Sequence, residues 1–78
     1  MITVKLFGLL RLDSGIRQLR MEADSVRQVL DALLLETDRI TKKDLEGCVI
    51  LINGRQGNKR SKLKDGDQVV LLSPVAGG

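Results

Sequence analysis

Between Ile2 and Phe7 the chain alternates, with apolar Ile2, Val4 and Leu6 on one side and Thr3, Lys5 and Phe7 on the other. A period of two predicts a strand. The next stretch, GLLRLDSG, holds two glycines and an Asp-Ser-Gly ending, which reads as a turn. IRQLRM follows as a second strand of less regular alternation, so the opening third predicts an irregular hairpin. The period then changes. Val26, Val29, Leu30, Leu33 and Leu34 fall at i, i+3, i+4, i+7 and i+8, one stripe of a helix over residues 25–36. Ser25 and Gln28 form a capping box at its start: the hydroxyl accepts from the Gln28 amide and the Gln28 side chain reaches back. The stripe has the two strands to bury, so it belongs to the core.

TDRITKKDLEG is polar and irregular, with Ile40 and Leu45 as anchors. CVILING is an unbroken apolar run closed by Asn-Gly. It predicts a strand buried on both faces or shielded along its length, ending in a tight turn. RQGNKRSKL reads as a loop, with at most a very short strand near Lys62. In KDGDQ, Gly66 supplies the positive φ of another turn. QVVLLS predicts a second well-buried strand, and Pro74, which has no N–H to donate, ends its pairing. The order is strand, strand, helix, strand, strand. One amphipathic helix covers one face of one sheet, which gives a two-layer α+β domain over residues 1–72, its densest apolar runs central. Residues 73–78 form an extended tail.

Composition narrows the chemistry. A chain of 78 residues makes one small domain. Phe7 is its one aromatic residue, so the core is aliphatic and there is no stacking platform for single-stranded nucleic acid. The net charge of +3 is a weak basic bias that selects no partner. Arg55, Lys59, Arg60, Lys62 and Lys64 make the densest basic run. It reads either as a solvated loop or as a partner surface. The single cysteine, Cys48, provides neither a disulfide framework nor a thiolate metal cluster, and no metal site is expected. With no histidine, the usual general base and proton shuttle is missing, so Cys48 has nothing to activate it and autonomous catalysis is disfavoured. No apolar run reaches the ~20 residues that span a bilayer. The opening lacks a secretory pattern. A cytoplasmic location, with no membrane or nucleic-acid partner, is the expectation.

The tail SPVAGG has its own logic. Pro74 fixes its own φ and biases Ser73 toward an extended backbone. Val75 and Ala76 are small, and Gly77 and Gly78 pass where a Cβ would not. A terminal carboxylate is ionised at neutral pH and is a poor electrophile until another protein activates it. Together VKLFGLLR, VILINGR, LKDGDQVVLL and the closing PVAGG give the whole chain a resemblance to the ubiquitin-like sulfur carriers of the MoaD/ThiS family. The likeness is strongest to the small subunits of molybdopterin synthase.

The resemblance implies a β-grasp fold, with a mixed sheet, first and last strands paired parallel at its centre, and one main helix on one face. It implies that an adenylating enzyme of the ubiquitin-activating type uses ATP to activate the Gly78 carboxylate. A sulfur donor then makes the thiocarboxylate, and the large subunit of molybdopterin synthase receives the tail for transfer to a pterin. Gly78 is then the reacting residue, Gly77 gives clearance, and Pro74, Val75 and Ala76 guide the tail. The chain would bind no cofactor itself and would not be an enzyme alone. Carriers for thiamine thiazole synthesis or tRNA thiolation share this chemistry. A basic binding module with an inert tail is the reading from another class. The tail departs from the family's frequent form in placing Ser73 before a single proline, with Leu71 and Leu72 where rings often stand.

Overall fold

The computed structural model describes residues 1–73. The expected first strand forms as β1, Ile2–Phe7, and puts Ile2, Val4 and Leu6 in the core. A short helix, α1, Leu9–Ser14, then leads to β2, Gln18–Met21, which pairs antiparallel with β1. The main helix α2, Val26–Glu36, buries Val26, Val29, Leu30 and Leu33 as its stripe requires. Its cap holds as expected on one side, where the Gln28 amide donates to Ser25 Oγ at 3.3 Å. The reach back lands one residue earlier than the sequence suggested. Gln28 Oε1 accepts from the Asp24 amide at 2.6 Å.

A second short helix, α3, Lys42–Glu46, precedes β3, Val49–Ile52. β3 turns through Asn53 and Gly54, both at positive φ, into β4, Arg55–Gln56. This is the conformation that an Asn-Gly hairpin turn demands. After a loop, Gly66 at φ 91° makes the second turn, and β5, Gln68–Leu72, ends the sheet.

The sheet runs β2-β1-β5-β3-β4, with β1 and β5 parallel at the centre and the other pairs antiparallel. Among the described residues three helices contribute to one core on one face, where Leu10, Leu33, Ile40 and Leu45 pack against Ile2, Val4, Leu6, Ile50, Val69 and Leu71. This is the two-layer β-grasp arrangement with one main helix.

Four expectations need correction. GLLRLDSG holds a helix, not only a turn, because Leu10 is drawn into the core and Gly15 closes the helix in the left-handed conformation. TDRITKKDLEG is also partly helical: Thr41 and Asp44 exchange cap bonds at 3.2 and 2.9 Å, a complete capping box. The dense runs CVILING and QVVLLS are not shielded on both faces. Val49 is 37% exposed and Leu72 39%. Among the described residues the helices lie against one face of the sheet, and alternate residues of these runs point to the other. Lys62 does make the brief strand contact expected of it, an isolated bridge to Ser25, whereas Arg55 and Gln56, read as loop, pair with Ile52 and Leu51.

Candidate functional site

The site follows from where β5 ends. Leu72 is its last residue, level with Phe7 on one side and Val49 on the other. These three side chains form a row on the open face and are each between 37% and 40% exposed. One step inward the same register sets Lys5, Val70 and Leu51 side by side. Leu51 and Val70 are half-buried. The C-terminal residues therefore continue from the apolar end of the open face. Exposed apolar side chains are thus grouped at this end of the sheet and not scattered singly. The sequence placed Phe7 opposite the core face correctly. It could not show that Phe7, Leu72 and Val49 are neighbours, which needs the register.

Ser73 is the first residue past the ladder, and it remains tied to the domain. The Leu10 amide donates to Ser73 Oγ at 3.1 Å. The Ser73 amide points to the Phe7 carbonyl at 3.5 Å. Pro74, Val75, Ala76, Gly77 and Gly78, the tail expected to guide and carry the reacting carboxylate, lie outside the described residues.

The basic run is exposed along its length. Arg55 sits on the short edge strand β4 and Lys64 in the turn before β5, at the opposite end of the sheet from Leu72. Lys59 and Arg60 border an open groove beside β3 with Glu46, Cys48 and Ile50. Lys62 lies against the start of α2 through its bridge to Ser25. The Asn58 backbone and side chain and the Ser61 hydroxyl hold this loop in shape, with Arg60 N donating to Asn58 Oδ1 at 2.7 Å.

Cys48 fits a structural thiol. It is half-buried, its Sγ donates to the Leu45 carbonyl at 3.0 Å, and burial pushes its pKa up, away from the thiolate a nucleophile needs. Among the described residues no group of three or more histidine, cysteine or acidic side chains is placed to hold a metal ion. Among the same residues no helix is long and apolar enough to cross a membrane.

Comparison with known proteins agrees with this geometry. No curated protein matches the sequence. Small archaeal modifier protein 1 from Haloferax volcanii superposes with a TM-score of 0.84 at 26% identity, covering 99% of this chain and 98% of that one. Its counterpart from Methanosarcina acetivorans gives 0.81 at 30% identity, with coverages of 99% and 95%. In a complex of subunits 1 and 2 of molybdopterin-converting factor from Helicobacter pylori, the matching chain gives 0.67 at 32% identity, with coverages of 99% and 97%. The ThiS family matches residues 4–78, nearly the whole chain and its terminal glycines included. The chain belongs to the ThiS family of ubiquitin-like sulfur carriers.

Proposed function

We propose that this protein carries sulfur on Gly78 as the small subunit of a molybdopterin synthase. The observation that carries the reading is the family match, which runs through to Gly78, joined to 32% identity over nearly full length with a molybdopterin-converting factor chain. An adenylating enzyme of the ubiquitin-activating type binds ATP. An oxygen of the Gly78 carboxylate attacks the α-phosphorus, and pyrophosphate leaves. A sulfur donor at the level of hydrosulfide then displaces AMP from the acyl adenylate and leaves a thiocarboxylate. When the sulfur passes to the pterin, water restores the carboxylate. This chain supplies the reagent and binds no cofactor. The catalytic groups belong to its partners, which suits a protein with no histidine.

The open face supports the same reading. Phe7, Leu72 and Val49 lie where the chain leaves the sheet, so a large synthase subunit that takes up the tail covers this row as it does so. The Helicobacter pylori relative is a complex of two subunits. A second reading has a specific observation in its favour. The two small archaeal modifier proteins superpose more closely, at 0.84 and 0.81, so attachment of Gly78 to protein lysines uses the same activated carboxylate.

The deciding experiment is an intact mass after incubation with ATP, a ubiquitin-activating-type enzyme and a sulfur donor, followed by addition of a large synthase subunit and its pterin precursor. A gain of one sulfur in place of one oxygen, absent from a Gly78 deletion and discharged only with the large subunit, supports the synthase role. A charged protein that instead appears linked to lysines supports the modifier role. With an active enzyme, the absence of both a sulfur gain and a lysine linkage rejects both readings.

A further inference from the structure

We infer that Ser73 is a positioning residue: its hydroxyl, held by the Leu10 amide, fixes the place at which the C-terminal residues leave the sheet. The inference rests on the reading of Gly78 as the reacting residue. It concerns how the domain presents that residue, which the carrier chemistry leaves open.

Leu72 is the last residue held by neighbours on both sides, through its pairing with Phe7 and Val49. Ser73 has no such ladder. A residue in that position would ordinarily be the first free joint of the chain. Here it is held by two groups far away in sequence. The Phe7 carbonyl lies 3.5 Å from its amide, a long contact. The stronger bond is the one from the Leu10 amide to its hydroxyl, at 3.1 Å, across a separation of 63 residues. Leu10 is a firm anchor, because its side chain is 2% exposed and set in the core.

The bond also meets a need of α1. The first amides of a helix have no partner within it. Gly8 stands at the cap position and has no side chain to offer, and no side chain of the local segment caps the helix. The Ser73 hydroxyl takes that role from the far end of the chain. One bond thus completes the helix and pins the root of the tail.

Gly8 is shaped for this contact. It sits at φ 68°, ψ −142°. A Cβ built there would lie 2.7 Å from the Ser73 carbonyl oxygen and 2.9 Å from its hydroxyl. Real Cβ atoms essentially never come so close; the hydroxyl could rotate away, but the carbonyl is backbone and has no flexible end to swing aside. Glycine at 8 and a hydroxyl at 73 are therefore two halves of one fitting.

A pinned root lowers the entropy that the tail must lose when a partner takes it up. Losing the pin should weaken capture of the tail and leave the chemical step intact, because Gly78 lies five residues further on. The expected signature is a higher KM with little change in kcat.

The test compares Ser73→Ala and Ser73→Thr with the unaltered protein in three measurements. The first is hydrogen exchange at the Leu10 amide, expected to speed up about tenfold or more in Ser73→Ala and to stay near the original rate in Ser73→Thr. The second is the distance distribution between spin labels at Leu35→Cys and Ala76→Cys with Cys48→Ser, expected to broaden only in Ser73→Ala. The third is ATP–pyrophosphate exchange with an adenylating enzyme that charges the unaltered protein. In it KM should rise about three- to tenfold in Ser73→Ala, with kcat within about twofold. Unchanged Leu10 exchange, an unchanged distance distribution, or a fall in kcat at constant KM would each overturn the inference. If no adenylating enzyme acts on the unaltered protein while the first two measurements respond as expected, the latch stands and the carrier reading fails.

Discussion

The two faces of the sheet are drawn from the same strands, residue by residue in alternation, and they end in opposite conditions. Leu71 is fully buried beneath the helices, and its neighbour Leu72 is 39% exposed on the far side. Val4 and Leu6 are buried, while Lys5 is half-buried and Phe7 exposed. A domain this small has helix enough for one face. The apolar residues on the other face add little to folding, because the area they take from water is modest. Their grouping near the tail's root is what they contribute. The covered face holds the domain together, and the open face, on the function proposed above, gives it a partner.

The sharpest way to break that division is to truncate adjacent residues of β5. Leu71→Ala removes a side chain with no exposure and should cost about 2–5 kcal/mol in chemical denaturation. Leu72→Ala should cost about 1 kcal/mol or less, in the range of surface changes that leave no cavity. Equal losses would mean that the open face is core and that the two-layer account is wrong. Gly8→Ala comes next in size. The backbone there lies in a region few side chains adopt, and the new methyl meets the Ser73 carbonyl oxygen. A loss of about 1–3 kcal/mol is expected from the strain alone. Gly15→Ala is the control, since its φ of 73° is also positive but a Cβ there meets nothing within 4 Å. If the two variants melt alike, the close approach of Ser73 to Gly8 has no energetic weight.

These contrasts also explain what could be read from the sequence. The strands β1, β3 and β5, the α2 stripe with its Ser25 cap, and the turns at Asn53–Gly54 and Gly66 are local patterns with local causes. So are the buried anchors Ile40 and Leu45, although the helix around Leu45 was announced by a Thr41–Asp44 box that polar surroundings obscured. Helix α1 was hidden for a different reason. Its cap comes from Ser73, and its Asp-Ser-Gly ending, which resembles a simple turn, is the helix's C-terminal closure, where the Gly15 amide donates to the Arg11 carbonyl at 2.9 Å. The two-residue β4 is too short to show a period. The open row was unreadable because periodicity tells which residues share a face of one strand and says nothing of register between strands. Gly78 and the residues before it were proposed from resemblance, and they lie beyond the described residues.

A smaller effect on stability separates the faces by function. Leu72→Ala leaves the fold nearly intact, so its binding can be compared directly with the unaltered protein. Truncating an exposed apolar anchor at the centre of a contact surface costs more than about 1 kcal/mol of affinity, which is a weakening of about five- to tenfold or more. That is the expectation for a large synthase subunit titrated calorimetrically against the Leu72→Ala variant. An exposed leucine elsewhere, Leu35 on α2, is 90% exposed and remote from the β5 row, and Leu35→Ala should leave affinity unchanged. If both variants bind alike, the row beside the tail is not the contact.

The smallest expected effect lies at the other end of the sheet. The Asp67 carboxylate accepts from the Lys64 amide at 2.8 Å and from Asn53 Nδ2 at 2.9 Å, joining the turn before β5 to the β3–β4 hairpin. These bonds, the Lys64 amide first, favour the ionised form and hold the pKa below the ordinary carboxylate value. The unfolded chain has no such bonds, so its pKa is the higher of the two. The stabilisation is therefore fully present above the unfolded carboxylate pKa, and it is lost as pH falls through the lower, folded value. Asp67→Asn should flatten that part of the acid limb of stability and leave neutral-pH affinity for the synthase subunit untouched, because the turn lies away from Phe7, Leu72 and Val49. Thermal melts across the acid range, run on both proteins, decide it. An unaltered acid slope in the variant would show that the clamp does not report on folding. A loss of affinity would show that the partner's footprint reaches the whole length of β5 and is not confined to the end from which the tail departs.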